Sequence, residues 1–353
     1  MEEINLEFLE TFLNTPSPSG FEQPAQKLFA DYVRPYVEKV EVDVHGNVIA
    51  TRQPEGNPRL MLAAHCDEIG LMINYITDDG FLHFVPIGGV LPQSLEGARV
   101  LICGHKGPIP GVIARKPSRL RQENEQEKPV KFPDLWVDIG ARDRKDAESL
   151  VRIGDAATIA TGFQRLLHNL ATARGFDDRL GVFVLAETLR FLHGREVKAA
   201  VLAVSTVQEE VGSRGVWGVA YRLKPDMAIV VEVEHASDYP EAEKKITGDV
   251  RLGQGIGFNR GSNINPQLNE FLMEVAREEK IPWHVTAVAG PTPTDASVIH
   301  IIREGVPCAL VRIPLRYMHS PSEIVSLDDV TLAVKFLAAF IRRLSPGLNF
   351  HKE

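Results

Sequence analysis

Residues 199–204, Ala-Ala-Val-Leu-Ala-Val, are an uninterrupted apolar run, and five positions past its end stand two adjacent acids, Glu209 and Glu210. A short apolar run bounded by turn signals reads as a buried strand. Gly194 precedes it and Gly212 with Gly215 follows, so the strand releases both acids into a loop at its carboxyl end, where α/β proteins gather ligands. Read alone, the pair is most simply a solvated loop, because Glu is mostly exposed. One carboxylate gripping a metal beside another that takes a proton from activated water would also account for it.

Around this run the chain alternates helix and strand. Apolar residues at helical spacing predict helices over 4–13 and 22–33, separated by the turn-rich 15–20. Strands are expected over 40–44, 48–51 and 59–64, the last running into His65-Cys66-Asp67-Glu68. From Ile69 the texture changes to short β-rich runs with no convincing helix, at 70–76, 81–86, 99–103, 110–114, 135–139 and 156–161. Alternation resumes near 173, with helices over 178–191, 213–222, 266–279, 296–303 and 327–344. Between these helices lie strands over 227–233, 283–288 and 308–313. The expected architecture is one α/β domain, residues 1–67 and 164–353, with a mixed sheet flanked by helices and interrupted by a small all-β domain over 68–163. Residues 118–131 of the insert (SRLRQENEQEKPVK) read as a polar surface excursion with no chemistry.

Composition narrows the class. The 353 residues allow a sizeable core, and 24% charged with 44% hydrophobic residues is ordinary for a globular protein. Lys and Arg total 39 against 47 Asp and Glu, and a net charge of −8 argues against nucleic acid or an anionic membrane as partner. Cys66, Cys103 and Cys308 are odd in number and lack C-x-x-C spacing, so neither a disulfide framework nor a thiolate zinc site is indicated and a reducing cytoplasm fits best. The start Met1-Glu2-Glu3 is acidic where a signal peptide is basic, and no window approaches the ~18 apolar residues of a membrane span.

Four strand ends and one helix start would carry His65, Asp177, Glu210, Glu232 and His319 to one edge of the sheet. Singly, each except Glu232 has a plain reading: a satisfied histidine for His65, a helix N-cap for Asp177, a polar loop residue for His319. Glu232 lies in the apolar run 229–233, where an unpaired carboxylate costs several kcal/mol. Together, two imidazoles and three carboxylates suit zinc, cobalt or manganese, in a pair bridged by one carboxylate. Asp67, two residues beyond His65, is placed to orient its imidazole, and Glu209 remains as general base. Asp295 either supports the site or caps the helix beginning at 296, and Arg260-Gly261-Ser262-Asn263 reads as a polar loop.

Five segments make this specific: Ala64-His65-Cys66-Asp67-Glu68-Ile69-Gly70, Phe176-Asp177-Asp178-Arg179-Leu180-Gly181, Val207-Gln208-Glu209-Glu210-Val211-Gly212, Pro291-Thr292-Pro293-Thr294-Asp295-Ala296 and Ile313-Pro314-Leu315-Arg316-Tyr317-Met318-His319-Ser320-Pro321. In this order, over nearly the whole chain, they resemble the signature segments of the tetrahedral aminopeptidases, the glutamyl aminopeptidase/cellulase M family. The resemblance implies a cytoplasmic, co-catalytic metallo-exopeptidase that removes the first residue of peptides with a metal-activated water. It implies two divalent ions per subunit, zinc first and cobalt or manganese as alternatives. Asp177 would bridge them, with His65 and Glu232 on one, Glu210 and His319 on the other, and Glu209 as base. It further implies a PDZ-like insert that mediates dimerisation, and dimers that build a tetrahedral dodecamer. Glu232 stands where many members have Asp, and Arg174-Gly175-Phe176 is atypical. The rival readings are an endoglucanase-type glycoside hydrolase, which needs no metal, and a metal-dependent deacylase or carboxypeptidase.

Overall fold

The computed structural model describes residues 3–120, 129–348 and 350. Its main sheet is mixed, in the order Lys39–Val42, Val48–Arg52, Ala200–Thr206, Arg59–His65, Met227–His235, Cys308–Arg316, Glu323–Ser326, Leu170–Ala173, Gln164–Arg165. Ile256–Gly261 and Trp283–Val288 extend it from Cys308–Arg316. The four central strands, from Ala200–Thr206 to Cys308–Arg316, are mutually parallel. Their carboxyl ends therefore lie along one edge.

These strands read as near-continuous apolar runs because helices cover both faces. Ala200–Thr206 is buried at every position, and Met227–His235 at all but its last. The helix Phe176–Leu192 packs against Arg59–His65, Met227–His235 and the closing helix Leu327–Arg343. Every residue of it except Arg190 is buried. Such a helix shows no clean amphipathic stripe, since no face of it meets water.

Between the sheet's outgoing strand at His65 and its return at Gln164, six strands close into a barrel in the order Gly70–Ile76, Leu82–Ile87, Leu135–Asp138, Gly107–Arg115, Arg99–Gly104, Ala156–Ile159. The barrel has its own core, in which Ile73, Phe84, Ile102, Ile113 and Val137 pack together, separate from the core of the main sheet. Of the polar stretch 118–131, Ser118–Leu120 form a 3-10 turn and residues 121–128 lie outside the described residues.

Several expectations change. A short helix, Arg144–Glu148, lies among the barrel strands, where only β structure was expected. The helix expected over 296–303 ends at Ile299. Arg260 and Gly261 are the end of the strand Ile256–Gly261, not a polar loop. Two glycines and an Asn make that segment turn-like in sequence, but pairing with Trp283–Val288 decides its conformation. At Gly257 a Cβ would meet Glu234 Oε1 at 1.9 Å and would have to displace that carboxylate from His284. Leu170–Ala173 and Glu323–Ser326, absent from the sequence reading, pair antiparallel.

Candidate active site

The parallel strands bring four of the sequence candidates to one edge. His65 ends Arg59–His65, Glu210 lies in the turn after Ala200–Thr206, Glu232 lies within Met227–His235, and His319 follows Cys308–Arg316. Asp177 arrives from the other side, at the irregular start of Phe176–Leu192, where its φ and ψ of −75° and 111° are non-helical. Its peptide bond to Asp178 is cis. The N-cap reading of Asp177 is thus replaced: Gly175 precedes the helix, and the Asp177 carboxylate faces the sheet edge.

Asp177 stands between the two imidazoles. Its Oδ1 is 3.2 Å from His65 Nε2 and its Oδ2 is 3.2 Å from His319 Nε2. Glu232 Oε2 lies 3.8 Å from His65 Nε2, and Glu210 Oε1 lies 3.4 Å from His319 Nε2. Glu209 Oε2 is 4.0 Å from His65 Nε2, while its Oε1 accepts the Ser213 hydroxyl at 3.0 Å. All six side chains border one cleft of about 620 Å³.

Asp67 meets the His65 ring with both its backbone and its side chain. The backbone carbonyl of Asp67 is 3.0 Å and its carboxylate 3.5 Å from His65 Nδ1, so both face the nitrogen that sets the ring's orientation. A carbonyl only accepts, so Nδ1 carries a proton and Nε2 is the ring nitrogen turned to the cleft. The Asp67 carboxylate also accepts the N–H of Glu209 (2.9 Å), the N–H of Glu210 (3.1 Å) and the Ser19 hydroxyl (2.7 Å). It therefore fixes the turn that carries both acids.

The charges are crowded and dry. Burial pushes the Glu210 carboxyl up to about 7 and Glu232 up to about 8, with Asp177 adding repulsion in both cases. Burial likewise raises Glu209, against the pull of His65. Asp177 is also buried, yet hydrogen bonding to His319 and His65 outweighs burial and holds it well below the usual carboxylate range. His319 is raised to about 11 by Asp177 and Glu210.

Sequence reasoning passed over two residues here. Glu323 accepts the backbone N–H of Asp177 at 3.2 Å and that of His319 at 3.0 Å, so one carboxylate ties the two residues together. Asp178, fully buried, accepts the N–H of His65 and of Gly181. Asp178 stood in the quoted motif beside Asp177; Glu323, in a Ser-Pro-Ser-Glu stretch, carried no signal. Asp295 is resolved as a support. Its side chain makes no cap bond, and it accepts the Thr206 hydroxyl at 2.6 Å just ahead of the acidic turn.

The M42 glutamyl aminopeptidase family model matches residues 46–336. The chain belongs to that family. Among relatives, the lysyl aminopeptidase of Pyrococcus furiosus is 36% identical over 346 residues, covering 97% of this chain and 98% of that one. Among solved structures, a TET aminopeptidase from a marine sediment thaumarchaeon aligns at a TM-score of 0.92 with 35% identity, covering 96% of each chain. The TET1 peptidase of Pyrococcus horikoshii, which assembles into a tetrahedron or a large octahedral shell, aligns at 0.86 with 30% identity, covering 96% of this chain and 99% of that one. As a member of the M42 family, the chain is a peptidase of the metal-dependent aminopeptidase type.

The residues present fit the divalent metal that M42 membership implies. His65, Asp177 and Glu210 offer ligand atoms all within 4.8 Å of one another, as do His65, Asp178 and Glu232. Glu210 Oε1 is buried without a hydrogen-bond partner among the described residues. The carboxylates of Asp177, Glu210 and Glu232 also crowd negative charge around two imidazoles, which protons balance in the metal-free chain and a divalent cation would balance in their place.

Proposed function

We propose that this chain is a dinuclear metallo-aminopeptidase that removes the first residue of peptides, with Glu209 as general base. The observation that carries the reading is the Asp177 carboxylate, whose two oxygens each face a different imidazole at 3.2 Å. Asp177 would hold both cations, His65 and Glu232 one, Glu210 and His319 the other. When bound, two such ions supply Lewis acidity toward the scissile carbonyl and toward water. Glu209 takes the proton of the attacking water and returns it to the leaving amine. Its raised pKa suits both steps, and Ser213 and Asp67 keep its carboxylate at the cleft. The acid-rich cleft wall favours a free α-ammonium, which restricts cleavage to the first residue. Zinc is the first choice of metal, with cobalt or manganese as alternatives.

The chain divides, on this reading, into a catalytic domain of residues 1–67 and 164–353 and an inserted dimerisation domain of residues 68–163, which is the six-stranded barrel with its separate core. The likeness to the Pyrococcus horikoshii peptidase supports a homo-oligomer, with dimers assembling into a tetrahedral dodecamer. The free cysteines Cys66, Cys103 and Cys308 suit a cytoplasmic enzyme.

The deciding experiment strips the protein with EDTA, reconstitutes it with zinc, cobalt or manganese, and assays free-amine against N-acetylated peptides. Loss on chelation, recovery with two equivalents of metal and no cleavage of blocked peptides are expected. Activity that survives chelation, or equal cleavage of blocked peptides, overturns the reading. The glycoside-hydrolase alternative gives no role to His65 and His319, although both imidazoles lie within 4.0 Å of the acids it would use.

A further inference from the structure

The turn that carries Glu209 and Glu210 is held by an unusual set of bonds. Four consecutive backbone N–H groups each donate to a side chain from a distant part of the chain. Val207 donates to Asn47 Oδ1 (3.0 Å), Gln208 to Glu22 Oε1 (3.2 Å), Glu209 to Asp67 Oδ1 (2.9 Å) and Glu210 to Asp67 Oδ2 (3.1 Å). Gln208 itself is left-handed, at φ 59°, a conformation that a non-glycine residue keeps only where its surroundings impose it.

We propose that Glu22 is a positioning residue for the reaction, aiming the Glu209–Glu210 turn from the amino-terminal segment. This rests on the reading of Glu209 as base. Glu22 sits immediately before the helix Gln23–Val33 but makes no side-chain cap bond to it. Its carboxylate turns instead to Gln208, and the same Oε1 accepts the Gly20 N–H at 2.7 Å. One helical turn on, Gln26 Nε2 donates to the Ser205 carbonyl at 2.8 Å, so the same segment grips the strand end on both sides of Thr206 and Val207. Ser19 completes the attachment through Asp67. Glu22 is 3% exposed, and burial with the nearby Asp67 pushes its carboxyl up to about 7. A buried carboxyl at such a place is unfavourable unless its acceptor oxygen is needed. Glu22 also precedes the residues that the family model matches.

The test compares metal-loaded variants. Glu22→Met keeps the volume and removes the acceptor, and Glu22→Gln keeps an acceptor oxygen at the same reach. A catalytic group displaced by about 1 Å costs on the order of 10²-fold, so Glu22→Met is expected to lower kcat about 10- to 100-fold with KM little changed. It should retain both metals and show faster deuterium exchange confined to residues 205–212. Glu22→Gln is expected to restore kcat to near the parent value. Should the Met variant not fold, Glu22→Asp, which withdraws the acceptor by one methylene, shows a smaller fall of the same sign. An unchanged kcat in the folded Met or Asp variant overturns the proposal, as does a Gln variant that falls as far as Met. A control with Glu209→Gln separates the two readings: turnover surviving there sinks the base assignment, while the exchange at 205–212 still reports on Glu22.

Discussion

Glu209 and Glu210 are neighbours in sequence with the same chemistry and unequal surroundings. Glu210 Oε1 is buried and, among the described residues, faces only the His319 imidazole, at 3.4 Å, whereas Glu209 has the Ser213 hydroxyl and stands 4.0 Å from His65. Glu209→Gln should therefore keep two metals per chain, measured by mass spectrometry, and lose about 10²- to 10⁴-fold in kcat. Full turnover in that variant would refute the base assignment. Glu210→Gln should instead lose metal, because it changes a ligand. A base must be ionised to act, and burial raises Glu209. The rate should consequently fall on the acid side at a higher pH than an ordinary carboxylate would give, a limb that Glu209→Gln removes.

At the scale of elements, the site depends on loops that the sheet alone does not specify. Glu323 opens the strand Glu323–Ser326 and binds the N–H groups of both Asp177 and His319. Outer supports of metal ligands typically matter 10- to 100-fold in affinity, so Glu323→Ala should weaken metal binding by about that factor in calorimetry. Equal affinity would show the clamp to be idle. A second support comes from the barrel side. A Cβ on Gly89 would lie 2.6 Å from His319 Nδ1, and Gly89→Ala should displace that ring and lower activity while leaving the barrel folded by circular dichroism.

Much of this was legible in the sequence, and the limits are physical. The central strands announce themselves because burial on both faces selects continuous apolar runs, and Glu232 stood out by interrupting one. The strand 256–261 was hidden because its glycines answer to Glu234 and to backbone pairing, which no local pattern records. Glu323 and Glu22 were invisible for a related reason. Their roles consist of accepting backbone N–H groups, and a backbone N–H looks the same at every residue.

For the whole molecule, the crowded acids couple stability to pH. The Glu210, Glu232 and Glu323 carboxyls, at about 7, 8 and 8 in the fold, lie above the ordinary 4.5. His319, at about 11, lies above 6.5. The metal-free native chain thus holds protons that the unfolded chain has already released. Stability then falls as pH rises from about 5 toward 9. The His319 share is fully present below its unfolded pKa and disappears as pH climbs through the folded one. Metals replace those protons, so their stabilising effect should grow with pH. Urea midpoints in EDTA should drop between about pH 6 and pH 8.5, and a rising midpoint would contradict the assignment. Light scattering should return a mass many times the 39.1 kDa of one chain if the proposed assembly forms.

The barrel also separates His65 from the rest of the site along the chain. The proposed ligands are spread from residue 65 to residue 319, and their clamp follows at 323. On a ribosome, His65 emerges first, Asp177 only after the whole barrel, Glu210 and Glu232 with the next two strands, and His319 after the fifth strand beyond the long buried helix. A chain halted anywhere before His319 lacks that imidazole, so on the proposed ligand set the site is complete only when nine-tenths of the 353 residues have been made.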